Sequence, residues 1–316
     1  MINILLLFLG LAILIFSSDW LIQGSVKLSI LFKLTPLFIG LVVVAFGTST
    51  PEAGVGIMAA IRDYKSIALG TVVGSNIANI GLILGSCALY KPFVVDKSVF
   101  KREMPIMLSS AALLYLLSLD LWLSRLDGVI FILFFIFFCR VSYKGAKKST
   151  ISKEIAEFKL KKLLKRTKSP YLVLLLALFS LFGIVIGADM MVRSGSALAR
   201  IFGISPWMIS VTIFAVGTSL PELSASLTAV FKKVPSISFG NIIGSNIFNI
   251  LLILGIVALI RPINISEAIL KFELPALIIF SLSLLIAAKT DYRISRKEGI
   301  ALFLGYFIFI FLLFKR

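Results

Sequence analysis

Histidine is absent from this 316-residue sequence, and cysteine occurs only twice. Without imidazoles or paired thiolates, the chain lacks the ligands that transition metals prefer and a side chain that relays protons near neutral pH. Cys87 and Cys139 both lie in apolar runs, far from any CxxC spacing. We interpret them as small buried hydrophobic residues, so neither a disulfide nor a redox role is expected.

Charged residues are also scarce. They make up 15% of the sequence, whereas soluble domains carry about 25%. Hydrophobic residues make up 59%, and the mean hydropathy is +1.07. This composition predicts a polytopic protein of the lipid bilayer. The net charge is +17, and the basic residues lie between the apolar runs, where the positive-inside rule places them. We therefore expect no nucleic-acid partner.

Ten apolar runs have about the 20 residues that an α-helix needs to cross a bilayer. The first, 2–16, resembles a signal-peptide core, but it lacks a basic n-region and is matched mid-chain by 172–187. Both are therefore predicted to be transmembrane helices in an all-α polytopic membrane protein. The ten predicted transmembrane helices are roughly 3–31, 35–60, 67–90, 104–120, 126–143, 171–198, 205–230, 236–260, 268–288 and 297–314.

The two halves of the chain repeat one another at a constant offset of 170 positions. Asp19 matches Asp189 and Glu52 matches Glu222, and no gap is needed from position 19 to 105. Because each half has five helices, an odd number, the second half must enter the membrane from the opposite side. Such inverted-topology repeats are typical of secondary transporters, whose substrate sites lie near the midplane. The predicted divisions are a first five-helix repeat at 1–143, a connector at 144–169 and a second five-helix repeat at 170–316.

The connector region is strongly basic. From Arg140 to Lys168 the sequence carries eleven Lys/Arg and only two acids. The positive-inside rule therefore places the connector in the cytoplasm and both termini outside. With this topology, 23 of the 32 Lys/Arg lie inside. The predicted location is the cell membrane, with multiple passes.

Two short polar motifs interrupt the apolar runs, Gly47-Thr-Ser-Thr-Pro-Glu52 and Gly217-Thr-Ser-Leu-Pro-Glu222. An ionisable side chain at mid-helix costs on the order of 2.5–3.5 kcal/mol on insertion scales. Glu52 and Glu222 are the only acids well inside predicted spans, and no Lys or Arg occupies the deep part of any span. We therefore expect the two glutamates to bind a cation.

A proline precedes each glutamate. Pro51 and Pro221 have no N–H for the carbonyl four residues earlier, so each helix should break or kink within the motif. Unwound backbone is tolerated at this depth where it lines a cavity, and its freed carbonyls become ligands. A kink that serves packing alone is the alternative.

A second motif also occurs twice, as Gly74-Ser-Asn-Ile-Ala-Asn79 and Gly244-Ser-Asn-Ile-Phe-Asn249. The first and last polar side chains of each motif share a helix face at i,i+4. For these four residues we predict ligation, although close helix packing is the alternative. They are Ser75, Asn79, Ser245 and Asn249. For Asn76 and Asn246, one position off that face, we expect interhelical hydrogen bonds instead.

All these candidate ligands are hard oxygens. Calcium takes six to eight such oxygens in flexible geometry, whereas Mg²⁺ demands a tight octahedron and retains its waters. Two ionised glutamates balance one Ca²⁺ or two Na⁺. The ligand chemistry is therefore compatible with Ca²⁺ or with Na⁺, and no resident cofactor is predicted.

The paired motifs, G-T-S-x-P-E followed by G-S-N-I-x-N-I, resemble those of the cation/calcium exchanger superfamily. The chain is most similar to the prokaryotic sodium/calcium exchangers, and the resemblance covers nearly its whole length. Cation/proton exchangers of the superfamily differ around the first acid, where they typically carry Gly-Asn-x-x-Glu. One departure concerns Asn249, because some archaeal relatives carry Asp there.

The resemblance implies Na⁺/Ca²⁺ antiport by alternating access, with helices 1 and 6 sliding over the other eight. It also implies that Glu52, Glu222 and the main-chain oxygens of Thr48 and Thr218 hold Ca²⁺. One sodium set would comprise Ala215, Thr218, Ser219 and Ser245 with Glu222. The other would comprise Ala45, Thr48, Ser49 and Ser75 with Glu52. Asn79 and Asn249 would flank the centre, and the protein is predicted to function as a monomer.

Two other functions remain open at this point. The first is Ca²⁺ exchange against H⁺, or with K⁺ co-transport, in the same superfamily. Without histidine, protons would have to be carried by Glu52 and Glu222 themselves. The second is an intramembrane enzyme that uses the two glutamates as acid and base. The sequence offers no nucleophile with a partner base, so we expect no enzyme.

Overall fold

The computed structural model describes residues 2–61, 65–147, 158–201, 217–289 and 292–315. These residues are helical almost throughout, with four two-residue strands. Seven of the described helices are long and apolar enough to cross a bilayer, or eight if one bent pair counts as a single span. The expected all-α membrane architecture is therefore confirmed at this level.

The helices of the first half follow the predicted spans closely. Thr35 Oγ1 accepts a hydrogen bond from Phe38 N, and Pro36 occupies the first helical position, so the second helix begins where the sequence predicts. The helices are α1 (Ile2–Phe32), α2 (Pro36–Thr48), α3 (Thr50–Ile61), α4 (Lys65–Ala78, then Asn79–Leu84 and Gly85–Tyr90), α5 (Lys97–Lys101), α6 (Glu103–Leu117) and α7 (Arg125–Lys147).

Helix α6 is shorter than the predicted span of 104–120. It ends at Leu117, where the main-chain N–H and the hydroxyl of Ser118 both donate to Leu114 O. The chain then turns through Leu121, whose φ of 63° lies in the left-handed region. The last three predicted helical residues therefore form a turn.

The second half has a matching series. The predicted seventh helix, 205–230, begins outside the described residues, which include only its second part, α10. The helices are α8 (Lys162–Arg166), α9 (Pro170–Ile201), α10 (Leu220–Phe231), α11 (Pro235–Ile247, then Phe248–Leu254 and Gly255–Ile260), α12 (Ile269–Glu273, then Leu274–Lys289) and α13 (Arg296–Lys315).

Two small antiparallel ribbons join loops from opposite halves. Strand β1 (Phe93–Val94) pairs with β4 (Arg293–Ile294), and β2 (Trp122–Leu123) pairs with β3 (Ile263–Asn264). The loop after α4 therefore lies beside the loop before α13. The loop after α6 likewise lies beside the loop after α11.

Helices α4 and α11 form the centre of the protein. Their apolar windows are 78% and 83% buried, whereas those of α1, α7 and α13 are only 22% buried. The outer helices thus present large apolar side chains outward, as a bilayer requires. The two Ser/Asn motifs lie on the central pair.

A close approach holds α2 against α11. A Cβ added at Gly40 would lie 2.4 Å from Ile237 O, and one added at Gly244 would lie 2.4 Å from Leu41 O. Only residues without a side chain allow the backbones to pack this closely. The contact brings the first proline motif beside the second Ser/Asn motif.

Candidate functional site

The serine of each proline motif has dihedral angles outside the helical range. Ser49 has φ −83° and ψ 5°, and Ser219 has φ −91° and ψ 2°, so neither residue continues the helix. Helix α3 leaves α2 at an angle of 46°. The bend expected from Pro51 is therefore confirmed. In both motifs the next helix begins at once, and its first turn carries the glutamate.

The two glutamates are fully buried, with exposed fractions of 0% for Glu52 and 1% for Glu222. Ser75 Oγ donates to Glu52 Oε1 at 3.3 Å, and Ser49 Oγ donates to Glu222 Oε1 at 3.1 Å. The second oxygen of each carboxylate has no hydrogen-bond partner among the described residues. Each carboxylate thus has one oxygen held by a serine and one available to a ligand.

Four asparagines link α4 to α11. Asn79 Nδ2 donates to Asn246 Oδ1 at 3.1 Å, and the equivalent bond, from Asn249 Nδ2 to Asn76 Oδ1, measures 2.9 Å. Asn76 Nδ2 donates to Asn246 O at 3.1 Å. The interhelical hydrogen bonds expected of Asn76 and Asn246 are confirmed. Because the donors of Asn79 and Asn249 are engaged, their Oδ1 atoms remain as buried acceptors without a described partner.

A π-helical segment begins at or beside each of these outer asparagines. The segments are Asn79–Leu84 and Phe248–Leu254. A π-helical turn is wider than an α-helical turn and is frequent at functional sites. The sequence analysis assumed α-helical i,i+4 spacing here and did not predict the π-helical segments.

Sequence reasoning missed one polar residue of this region, Asn241. Its side chain is fully buried, and its Oδ1 accepts from Thr48 Oγ1 at 3.1 Å. The equivalent position of the first half holds Thr71. A polar residue in an apolar helix that differs between the two halves could have indicated a role for Asn241.

The hydroxyls of the second half differ from those of the first. Ser219 and Ser245 are buried, and their Oγ atoms have no hydrogen-bond partner among the described residues. Thr218 is half-buried and lines a cavity of about 190 Å³ with Pro51, Asp189 and Pro221. Ala45 is buried, and its carbonyl accepts from Ser49 N at 3.0 Å. Ala215 lies outside the described residues.

The arrangement offers buried oxygen atoms without described partners. They are Glu52 Oε2, Glu222 Oε2, Asn79 Oδ1, Asn249 Oδ1, Ser219 Oγ and Ser245 Oγ. Carboxylate, amide and hydroxyl oxygens are the ligands that Ca²⁺ and Na⁺ accept. The described residues form no cluster of three or more His, Cys, Asp or Glu side chains. The carboxylate charge of the site is therefore that of two glutamates, which matches one divalent or two monovalent cations.

Comparisons with known proteins agree with this chemistry. The chain is 35% identical to the sodium/calcium exchanger MaX1 of Methanosarcina acetivorans, over 99% of both chains. It is 33% identical to the inner membrane protein YrbG of Escherichia coli, over 98% of this chain and 96% of that protein. Among solved structures, the sodium-calcium exchanger NCX_Mj soaked with zero Na⁺ and Ca²⁺ matches with a TM-score of 0.85 at 31% identity, over 98% of each chain.

The profile of the family described as sodium/calcium exchanger protein matches residues 2–144 and 172–315. These two segments contain both proline motifs and both Ser/Asn motifs. The chain belongs to the sodium/calcium exchanger family.

Proposed function

We propose that this protein exchanges Na⁺ against Ca²⁺ across the cell membrane by alternating access to one site between its halves. The observation that carries the proposal is the pair of buried glutamates, one from each half, whose free oxygens lie among neutral oxygen ligands. An unpaired buried carboxylate is costly, and a bound cation offsets that cost. The protein needs no cofactor and acts as a monomer.

The ligand sets follow the two halves. Ca²⁺ is held by the two glutamates and the main-chain oxygens of Thr48 and Thr218. One sodium set is Ala45, Thr48, Ser49, Glu52 and Ser75, and the other is Ala215, Thr218, Ser219, Glu222 and Ser245. Asn79 and Asn249 flank the central position, where their free Oδ1 atoms serve as acceptors.

The proposed topology has ten transmembrane helices in two inverted five-helix repeats. The first repeat is 1–143, the connector is 144–169 and the second repeat is 170–316. The connector lies in the cytoplasm, and both termini lie outside. The strand pairs support this topology, since β1 pairs with β4 and β2 with β3. Each pair joins two loops that the topology assigns to the same face. The paired asparagine bonds, related by the 170-residue offset, support the repeat as well.

The described residues leave a cavity beside the second half of the site, on the side that this topology places outside. The 190 Å³ cavity reaches Thr218 and Pro221 along Val185, Asp189 and Val192 of α9. These α9 residues belong to the half of the helix that the topology places toward the outside. Thr218 of the second sodium set therefore lines the cavity, whereas Ser49 and Ser75 of the first half are hydrogen-bonded to the glutamates.

A transport assay tests the proposal. Purified protein in vesicles loaded with Na⁺ should take up labelled Ca²⁺ when they are diluted into Na⁺-free medium. Vesicles loaded with choline should not, and adding K⁺ or a pH gradient should not replace Na⁺. Uptake that follows only the pH gradient, or that requires K⁺, would identify one of the other exchange modes instead.

A further inference from the structure

Asn241 of α11 connects the two halves at the site. Thr48 Oγ1 donates to Asn241 Oδ1 at 3.1 Å. Asn241 Nδ2 donates to Ser226 Oγ at 3.0 Å and forms a longer bond of 3.5 Å to the main-chain oxygen of Glu222. The side chain is fully buried. These contacts fix which end of the amide faces Thr48, because two acceptors hold the Nδ2 end.

This orientation constrains the hydroxyl of Thr48. An amide oxygen only accepts, so the Thr48 hydroxyl must act as the donor in this contact. Asn241 Oδ1 at 3.1 Å is a nearer acceptor for this proton than Ala45 O at 3.4 Å, and the lone pairs of the hydroxyl are free for a cation. The two threonines of the site differ in this respect, since the hydroxyl of Thr218 has no hydrogen bond to another described residue and the position equivalent to Asn241 holds Thr71.

We propose that Asn241 is a positioning residue that presets Thr48 as a sodium ligand. This rests on the proposed function for the identity of the ion. The amide fixes Thr48 of the first sodium set, whereas Thr218 of the second set, which lines the cavity, has no asparagine at the equivalent position. Loss of Asn241 leaves the Thr48 hydroxyl free to rotate its proton toward the carboxylates and away from the geometry that a cation needs.

A double-mutant cycle of Asn241→Ala and Thr48→Val tests this proposal. For each protein the measurement is the Na⁺ concentration that gives half of the maximal protection against thermal unfolding. We expect each single variant to raise that concentration about three- to tenfold, the loss of one hydrogen bond. The double variant should be no worse than the worse single variant, because both changes remove the same ligand geometry. Effects that multiply, or an unchanged value in Asn241→Ala, would overturn the proposal.

Two controls separate positioning from general damage. Asn241→Thr introduces the residue found at the equivalent position 71, and it replaces Asn241→Ala as the test if the alanine variant does not fold. Its half-protecting Na⁺ concentration should also be higher than that of wild type. Thr71→Ala should leave the Na⁺ requirement unchanged. Because heat protection reports binding without transport, a wild-type protein that binds Na⁺ but moves no Ca²⁺ would refute the proposed function and still test Asn241.

A second, independent observation concerns Asp19, which lies halfway along α1. The expectation that Glu52 and Glu222 are the only acids well inside a span was therefore wrong. Its two carboxylate oxygens bind two different lysines, Lys161 Nζ at 2.6 Å and Lys232 Nζ at 2.5 Å. Gln23 Nε2 donates to the same carboxylate at 3.2 Å, and Gln23 Oε1 accepts from Lys161 N at 2.8 Å. Lys161 Nζ also lies 4.0 Å from the centre of the Trp20 ring. The group ties α1 to the connector and to the end of α10.

Among the described residues, the equivalent acid of the second half has a single ion pair. Asp189 pairs with Arg193, one turn along the same helix, and its side chain is 52% exposed, against 16% for Asp19. It lines the cavity that reaches Thr218. Among the described residues, Asp189 is therefore exposed and paired with one arginine, whereas Asp19 is mostly buried and held by two lysines.

We infer that the ion pairs of Asp19 with Lys161 and Lys232, called the clamp here, keep the site closed toward the cytoplasm. This rests on the proposed topology, which places both lysines on the cytoplasmic side. Ser18, the residue before Asp19, contacts α10 as well: its Oγ lies 2.7 Å from Oγ of Ser224. Ser224 follows Glu222 by two residues. This contact separates the clamp from the site. For the inner side to open, α1 must leave α10, and both ion pairs must break. Lys161, in the described part of the connector at 158–169, thus contributes directly to this closure.

Thiol labelling from the cytoplasmic face tests the clamp. In a Ser18→Cys protein, Asp19→Asn should raise the rate of reaction with an impermeant maleimide about tenfold, because two partly buried ion pairs no longer favour the closed form. Lys161→Gln, which keeps Lys232, should give a smaller increase. Glu267→Gln, which removes an exposed ion pair with Lys271, should give none. An unchanged rate in Asp19→Asn, or an increase only from the outer face, would refute the clamp.

Discussion

Ser49 Oγ lies 3.1 Å from Glu222 Oε1, so the first proline motif contacts the acid of the second. The contact crosses the boundary between the halves at a separation of 173 positions. The site is therefore shared: a serine at the bend of the first half orients the carboxylate that the second half provides. A change at Ser49 therefore acts directly on Glu222.

Glu52→Gln and Glu222→Gln should each abolish Na⁺-driven Ca²⁺ uptake. Each variant removes one of the two charges that balance a divalent ion, while the amide keeps the volume and an acceptor for the serine. The measurement is labelled uptake in Na⁺-loaded vesicles, with size-exclusion chromatography to show that the variants fold. Near-normal exchange in either variant would contradict the central role of the pair.

Ser49→Ala should weaken ion binding more than Ser219→Ala does. The first change removes the donor that fixes Glu222, which costs about 1–3 kcal/mol for a buried group, whereas Ser219 Oγ has no described partner to lose. The comparison is made on the half-saturating Ca²⁺ concentration. Equal effects of the two substitutions would indicate that the serine bond to Glu222 does not position it.

Asn249→Asp should change ion affinity or coupling without loss of fold. The substitution adds a third carboxylate to the centre and replaces the donor that now reaches Asn76 Oδ1 at 2.9 Å. The test measures half-saturating Na⁺ and Ca²⁺ and the voltage dependence of exchange. A profile identical to wild type would argue against ligation at Asn249.

Gly10→Val should destabilise the protein by separating α1 from α9. A Cβ at Gly10 would lie 2.9 Å from Gly187 O, so the backbones must move apart. Overpacking of this kind costs about 1–3 kcal/mol. Thermal unfolding in detergent checks it, and Gly54→Ala is the matched control, because a Cβ at Gly54 meets nothing within 4 Å. Equal melting temperatures for Gly10→Val and wild type would refute the close contact.

The sequence predicted much of the fold from local rules. Hydropathy and helix-start signals located α1, α7, α9 and α13 to within a few residues, because bilayer thickness sets the length of an apolar helix. The proline rule predicted the bend at Ser49. The end of α6 was less predictable, because the hydrogen bonds of Ser118 and the left-handed Leu121 leave no mark in hydropathy.

By itself the sequence determined the chemistry of the protein: two acids in apolar helices without basic partners, repeated with their prolines and asparagines at one offset. Those features follow from residue type and spacing. Tertiary structure alone decided which groups meet. It paired Ser49 with Glu222, turned the Asn79 and Asn249 oxygens inward by engaging their donors, brought Asn241 to Thr48 and clamped Asp19 between two lysines. These contacts depend on how helices distant in sequence pack together, which residue spacing does not specify.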